Sequence, residues 1–257
     1  MQLPESATGF DLGGLTTEDV ARLAAASLPF VVIVPVGSVE PHGPHLPLET
    51  DTIISVAASR RAAAELAPRG VAARVAPAVA YGVTEFARGF AGVAGVPPEV
   101  LTPFLAAVVK AYLDGGARHV CLVNNHLEPA HDAAVRAAIA AAPAGAASVA
   151  CPLTRRWART LSAEFKSGAC HAGSYETSIV LAARPELVRD VARASLPAVP
   201  ISLSEGIKAG QSTFAEMGMT RAYAGAPAEA SAVEGHEQLE RLAAMIVVEI
   251  SEALGVG

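Results

Sequence analysis

Two periodicities alternate along this chain. Apolar residues run almost unbroken through residues 30–36 (FVVIVPV) and through much of 118–125 (RHVCLVNN). Runs without a polar face predict strands buried on both sides of a sheet. Elsewhere apolar positions recur every three or four residues, the spacing of helices that bury one face. Thr16, with Asp19 three residues on, opens a first helix in residues 16–28. Residues 51–70 predict a second, stopped by Pro68 and Gly70, and residues 97–116 a third, entered by prolines and closed by Gly115 and Gly116. The pattern continues with a strand over 71–82, a helix over 128–142 and a short strand over 147–153. One helix follows over 153–168 and another over 174–185. Residues 190–230 lack strong periodicity and predict loops with one hairpin. The last helix puts Leu239, Leu242, Ala243, Ile246, Val247, Ile250 and Leu254 on one face.

This alternation predicts an α/β fold, a mostly parallel sheet covered by helices on both faces, in one domain over residues 1–257. Ligands of such sheets bind beyond the carboxyl ends of the strands. The two apolar strands run into Glu40-Pro41-His42 and into His126-Leu127-Glu128. Residues i and i+2 of an extended segment point the same way, so each strand end presents a Glu/His pair. With Asp51 nearby, these donors suit zinc or manganese. Two clusters can hold two divalent ions, and a carboxylate shared between them keeps such ions roughly 3.5–4 Å apart. Asp51 has a second reading as a group that only favours a helix start, and His45 and His131 as exposed loop residues.

Composition narrows the partners. The net charge of −6, without Lys/Arg clusters, argues against nucleic acid and anionic membrane surfaces. The first fourteen residues have no basic-then-apolar leader pattern, and the Ala-rich stretches are interrupted before membrane-spanning length. Cys121, Cys151 and Cys170, odd in number and widely spaced, fit reduced thiols in a cytoplasmic protein.

The stretch GSVEPHGPHLPLETD, residues 37–51, resembles the signature of the creatininase family of metal-dependent amidohydrolases, close to G-S-x-E-x-H-G-x-H-L-P-L-x-T-D. NNH at 124–126 is similar to the family's second motif, and HAGSYETS at 171–178 to its third. A looser likeness runs through Gly82 and through GAPAEASAVEG before the last helix. The resemblance implies a three-layer α/β/α fold, two divalent ions per chain (Zn, Mn or both) and a homo-oligomer, commonly a hexamer. It implies Glu40, His42, Asp51 and His126 as metal ligands, with Asp51 bridging. The fifth place falls to Glu128 or Glu176; we favour Glu128, two residues from His126, with Glu176 as a group serving turnover. His171 matches the family histidine assigned to proton transfer. Cys170 has a weaker reading as a nucleophile. Departures lie after His126, where LEPAH is unusual, and at GFAGVAGVP, which replaces a segment that contains Pro-Gly-Thr in many members. Trp157 is the only tryptophan, whereas creatininase uses more than one around its substrate, so creatinine itself is not the expected substrate.

The expected activity is therefore metal-assisted hydrolysis of a small molecule, at a non-peptide, cyclic or formamide-like C–N bond, by a metal-activated water. Alternatives are ring opening of a cyclic ketone, cleavage of a short peptide near its end, or metal binding without turnover.

Overall fold

The computed structural model describes residues 7–256; residues 1–6, which hold part of the leader reading, and residue 257 lie outside it. Four strands form the sheet: β1 (Phe30–Val36), β2 (Ala72–Val75), β3 (His119–Asn124) and β4 (Ala147–Ala150). Their order is β2-β1-β3-β4, and every pairing is parallel. All seven residues of β1 and all six of β3 are buried, as runs without a polar face require.

Strand pleating sends alternate residues to opposite faces. Val31, Ile33, Cys121 and Val123 join one core, and Val32, Val34, Val120 and Leu122 join the other. The first core is covered by α2 (Thr50–Leu66), α7 (Ser174–Ala183) and α10 (Ala232–Leu254), which pack on one another. The second is covered by α3 (Pro98–Asp114) and α4 (Pro129–Ala138), with α1 (Thr17–Ala25) at its margin. Three layers result. On α10, Leu242, Ile246 and Ile250 are fully buried, each worth about 1.5–3 kcal/mol in transfer terms. Thr16 and Asp19 form the reciprocal capping box expected at α1.

Three expectations change. The strand read over 71–82 stops at Val75; beyond it only an isolated bridge joins Val36 to Val79, because Pro77 has no N–H for a ladder. The single helix read over 153–168 is two short ones, α5 (Arg155–Ala158) and α6 (Ala163–Ser167). Ser162 breaks the run by capping α6, its side chain accepting the Phe165 N–H at 3.2 Å. In 190–230 there are two short α-helices, α8 (Asp190–Ala194) and α9 (Leu203–Lys208), a 3-10 turn at Pro227–Glu229, and a lone antiparallel bridge Val199–Gly225 rather than a hairpin. Among the described residues no helix is long and apolar enough to cross a membrane.

Candidate metal centre

The strand order decides where the donors meet. After β1 the chain crosses to β2 on one side, while β3 and β4 continue on the other, so the order reverses between β1 and β3. Ligand crevices open at such a switch point. Val36 pairs with Asn124 at the last register position, and the Glu40-His42 and His126-Glu128 segments leave the sheet side by side. Asp51 arrives from the first turn of α2, whose backbone comes close because Gly37 has no side chain. A Cβ there would lie 2.4 Å from Thr52 Oγ1.

The ring nitrogens have assigned tasks. His42 Nδ1 faces the Glu40 carbonyl at 3.1 Å and must donate to it, which leaves Nε2 to the site. His126 Nε2 donates to the Val83 carbonyl at 2.6 Å, which leaves Nδ1. Asp51 turns one oxygen to each imidazole. Its Oδ1 is 3.2 Å from His42 Nε2 and its Oδ2 is 3.1 Å from His126 Nδ1, and Oδ2 also accepts the Ser38 hydroxyl at 2.8 Å. Asp51 is no helix cap: the N-cap position of α2 is Glu49. Glu40 Oε1 lies 3.4 Å from His126 Nδ1, while Oε2 accepts the Thr84 hydroxyl at 2.5 Å.

Both contested glutamates are present, in different places. Glu176, in the first turn of α7, sets Oε2 3.6 Å from His42 Nε2 and accepts the Ala172 N–H at 2.7 Å. Ala172 has a positive φ of 52°, a conformation costly for a residue with a Cβ, and it shapes the turn that carries both His171 and Glu176. Glu128 accepts the backbone N–H groups of Glu85 and Phe86 at 3.1 and 3.2 Å. Three overlapping buried groups could each hold a metal ion: Glu40, His42 and His171; Glu40, His126 and Glu128; His42, Asp51 and Glu176.

The field at these groups is strongly anionic. Burial alone would push the His42 imidazole down, yet Asp51, Glu176 and Glu40 bring it up to about 10. Against the same penalty, Glu40 and Asp51 hold the His126 imidazole well above its ordinary value. Burial would raise the carboxyl groups of Glu40 and Asp51; the imidazoles instead hold Glu40 at about 2 and Asp51 well below the usual range. Glu176, buried and facing two other carboxylates, is pushed up to about 8 despite His42. No Lys or Arg belongs to these groups, and buried His42 Nε2 has no hydrogen-bond partner. A buried carboxylate cluster needs cations, so the donor set fits metal ions.

The neighbouring histidines divide. Burial and the charge of His42 pull His171 down to about 4. Its Nε2 donates to the Pro41 carbonyl at 2.9 Å, and its ring lies between His42 and Phe214, each 4.4 Å away. Its Nδ1 is 3.7 Å from Glu40 Oε1. His45 and His131 are fully buried, contrary to their reading as exposed loop residues. His45 Nε2 meets the Thr177 hydroxyl at 2.9 Å, and His131 Nδ1 accepts the Val83 N–H at 3.1 Å. His131 and His126 thus hold Val83 by its N–H and its carbonyl. Burial and nearby Glu176 push the Cys170 thiol up to about 12, so it is no nucleophile at neutral pH. Ser38 and Thr84 support the donors without standing out in the sequence. Ser38 lies inside the first motif, and Thr84 has no local signal beyond Gly82.

Glu40, Asp51, His126, Glu128, His171 and Glu176 form the floor of a cavity of about 270 Å³, with His42 buried behind them, and α5, α6, α9 and Phe214 wall it. The creatininase family (creatinine amidohydrolase) matches residues 14–250. The chain belongs to the creatininase family. It is a hydrolase of that family, with buried His, Asp and Glu groups able to coordinate metal. A mycofactocin precursor peptide peptidase of Mycobacterium tuberculosis is 33% identical over 235 residues, covering 88% of this chain and 84% of that protein. A creatinine amidohydrolase of Pseudomonas putida is 28% identical over 123 residues, 46% of this chain and 45% of that one. A creatininase crystal structure superposes with a TM-score of 0.70 at 22% identity, over 95% of this chain and 97% of the other, a likeness of fold. These relatives correct one expectation. The protein sharing a third of its residues with this chain, over most of both lengths, cleaves a peptide, which overturns the reading of the target as a non-peptide C–N bond.

Proposed function

We propose that this chain is a metal-dependent peptidase that cleaves a short peptide near its end. The observation that carries the reading is the paired donor set on either side of Asp51, at the floor of an open cavity. The peptidase relative supports the substrate class. In this reading Glu40, Asp51 and His126 would hold one zinc or manganese ion, and His42, Asp51 and Glu176 would hold the other. The sequence favours Glu128 for the fifth place. The spacing around His42 supports Glu176 there instead, with Glu128 bordering the Glu40–His126 side. Bound in this place, two such ions supply a nucleophilic water at neutral pH and polarise the scissile carbonyl.

The chain's own groups then manage the proton. His171 is neutral at pH 7, and its Nδ1 has no donor opposite it. That nitrogen takes the proton as the water oxygen bonds to the carbonyl carbon. It returns the proton to the nitrogen of the departing amine as the C–N bond breaks. His42 and Phe214, tilted by 36° and 37° against the His171 ring at 4.4 Å, restrict its rotation. The family resemblance supports a homo-oligomer, a hexamer, as the working assembly, and the three unpaired cysteines support a cytoplasmic location.

The test is protein prepared without chelator, supplied with zinc or manganese and incubated with short peptides under mass spectrometry. Release of a terminal fragment, abolished by chelator and restored by metal, is expected. Metal-replete protein that leaves every peptide intact but opens a lactam or cyclic ketone would overturn the peptidase reading.

A further inference from the structure

The cavity above the metal centre has a rim of opposite charge to its floor. Arg155 on α5, Arg159 at its end and Lys166 on α6 are exposed and line it. The chain carries a net charge of −6, so three cations at one mouth do not follow from composition. Nor do they serve local ion pairs. Arg156, in the same turn, grips Glu252 with bonds of 2.9 and 2.7 Å and lies over the Trp157 ring at 4.5 Å. Arg193 pairs with Asp190 at 2.7 Å and Lys208 with Glu205 at 2.8 Å. Among the described residues, Arg155, Arg159 and Lys166 have no carboxylate within ion-pair distance.

We infer that these three side chains form a subsite for a carboxylate carried by the peptide substrate, an assignment that rests on the peptidase reading. The lining is mostly apolar, with Phe165, Leu203 and Phe214 on the walls and the exposed Leu153 and Ile207 at the mouth. Low-dielectric walls focus the field of the rim, so an anion entering the mouth is drawn more strongly than one on open surface. The guanidinium forks suit a carboxylate in two-point contact, and the ammonium adds a mobile third donor. At about 270 Å³ the cavity sits just below ordinary ligand pockets of about 300–1,000 Å³, room for a chain end rather than a long segment. A carboxylate at the rim would set how far the scissile bond reaches toward the donors. Two sources offer this chemistry: the peptide's C-terminus, or an Asp or Glu side chain.

The experiment compares metal-replete wild-type protein with the variant Arg155→Gln/Arg159→Gln/Lys166→Gln on matched peptides. One set has a free C-terminal carboxylate, one is amidated, and one is amidated with a Glu at successive positions from the end. Substitutions at such exposed positions change stability little, so the variant folds, and Arg155→Lys adds a variant that keeps the charge. Wild-type kcat/KM for one carboxylate-bearing set should exceed the neutral amide by about tenfold or more, mainly through KM, and the triple variant should lose that preference. A preference for the free C-terminus identifies that group as the anchor; a preference for the Glu peptides identifies the side chain. If wild-type protein cleaves all three sets equally, the subsite is overturned while the peptidase reading stands. If nothing is cleaved, that reading falls, and calorimetric titration of the same peptides decides the subsite. Tighter binding of a carboxylate peptide, lost in the triple variant, keeps it, and equal affinities reject it.

Discussion

At the scale of single residues, the centre turns on how Asp51 spends its two oxygens. One faces His42 and the other His126, so removing the carboxylate exposes both imidazoles at once. Asp51→Ala should leave less than one metal per chain by elemental analysis. Asp51→Asn should do nearly the same, because the amide keeps the shape and loses the charge. Full metal content in both variants would reduce Asp51 to a structural carboxylate. The two glutamates make a sharper comparison. Glu176→Gln should lower metal content, since Glu176 stands 3.6 Å from the free nitrogen of His42. Glu128→Gln should retain most metal and lose turnover, because Glu128 ties down the Glu85–Phe86 backbone bordering the cavity. The reverse result would restore the order that sequence spacing favours.

At the scale of elements, the site depends on helices that reach it from far along the chain. α7 carries Glu176 and is held by α10, which crosses it at Gly235. A Cβ on Gly235 would fall 1.8 Å from the Ser178 carbonyl oxygen, closer than any contact that packing tolerates. Gly235→Ala must therefore push the two helices apart. We expect a loss of about 3 kcal/mol in urea unfolding. Whatever folds should bind less metal, because α7 moves with Glu176. A variant of wild-type stability would mean that the helices slide freely. The neighbouring α5–α6 pair illustrates a weaker dependence. Its Ser162 cap touches no metal donor, so Ser162→Ala should cost about 1 kcal/mol and leave metal content unchanged.

At the scale of the whole molecule, stability should depend on pH through histidines buried in neutral form. Burial holds His131 at about 3 and His45 at about 4, and lowers His119. Each is depressed relative to the unfolded value of about 6.5, so between the folded and unfolded values the unfolded chain binds more protons. Their contribution is present above about pH 6.5 and is lost as pH falls toward 4. His119 is the clean probe, at the start of β3, bonded to the Gly145 carbonyl and the Ser148 hydroxyl and away from the donors. The urea midpoint of metal-loaded protein should fall through that window, and His119→Gln should flatten the slope. A midpoint that rises on acidification would contradict this sign.

What could be read along the chain and what could not divide by range. The buried strands, the helix faces, the Thr16 capping box and the two Glu/His pairs all follow from spacings within about ten residues, where backbone geometry sets which side chains share a face. The first motif even carries Asp51, because one loop and one helical turn bring it back to the strand end. The meeting of β1 with β3 does not follow in this way: it depends on the order β2-β1-β3-β4, set by which helices cover which face. Nor does periodicity say that Glu176 faces His42, that Val83 is held between two imidazoles, or that Thr84 supports Glu40. These partners lie more than forty residues apart. The broken helix over 153–168 and the short helices of 190–230 escaped for a related reason. α5, α6 and α9 roof a cavity and α8 packs beside the 227–229 turn, so none buries a regular face, and packing and side-chain caps shape them where no repeating pattern could.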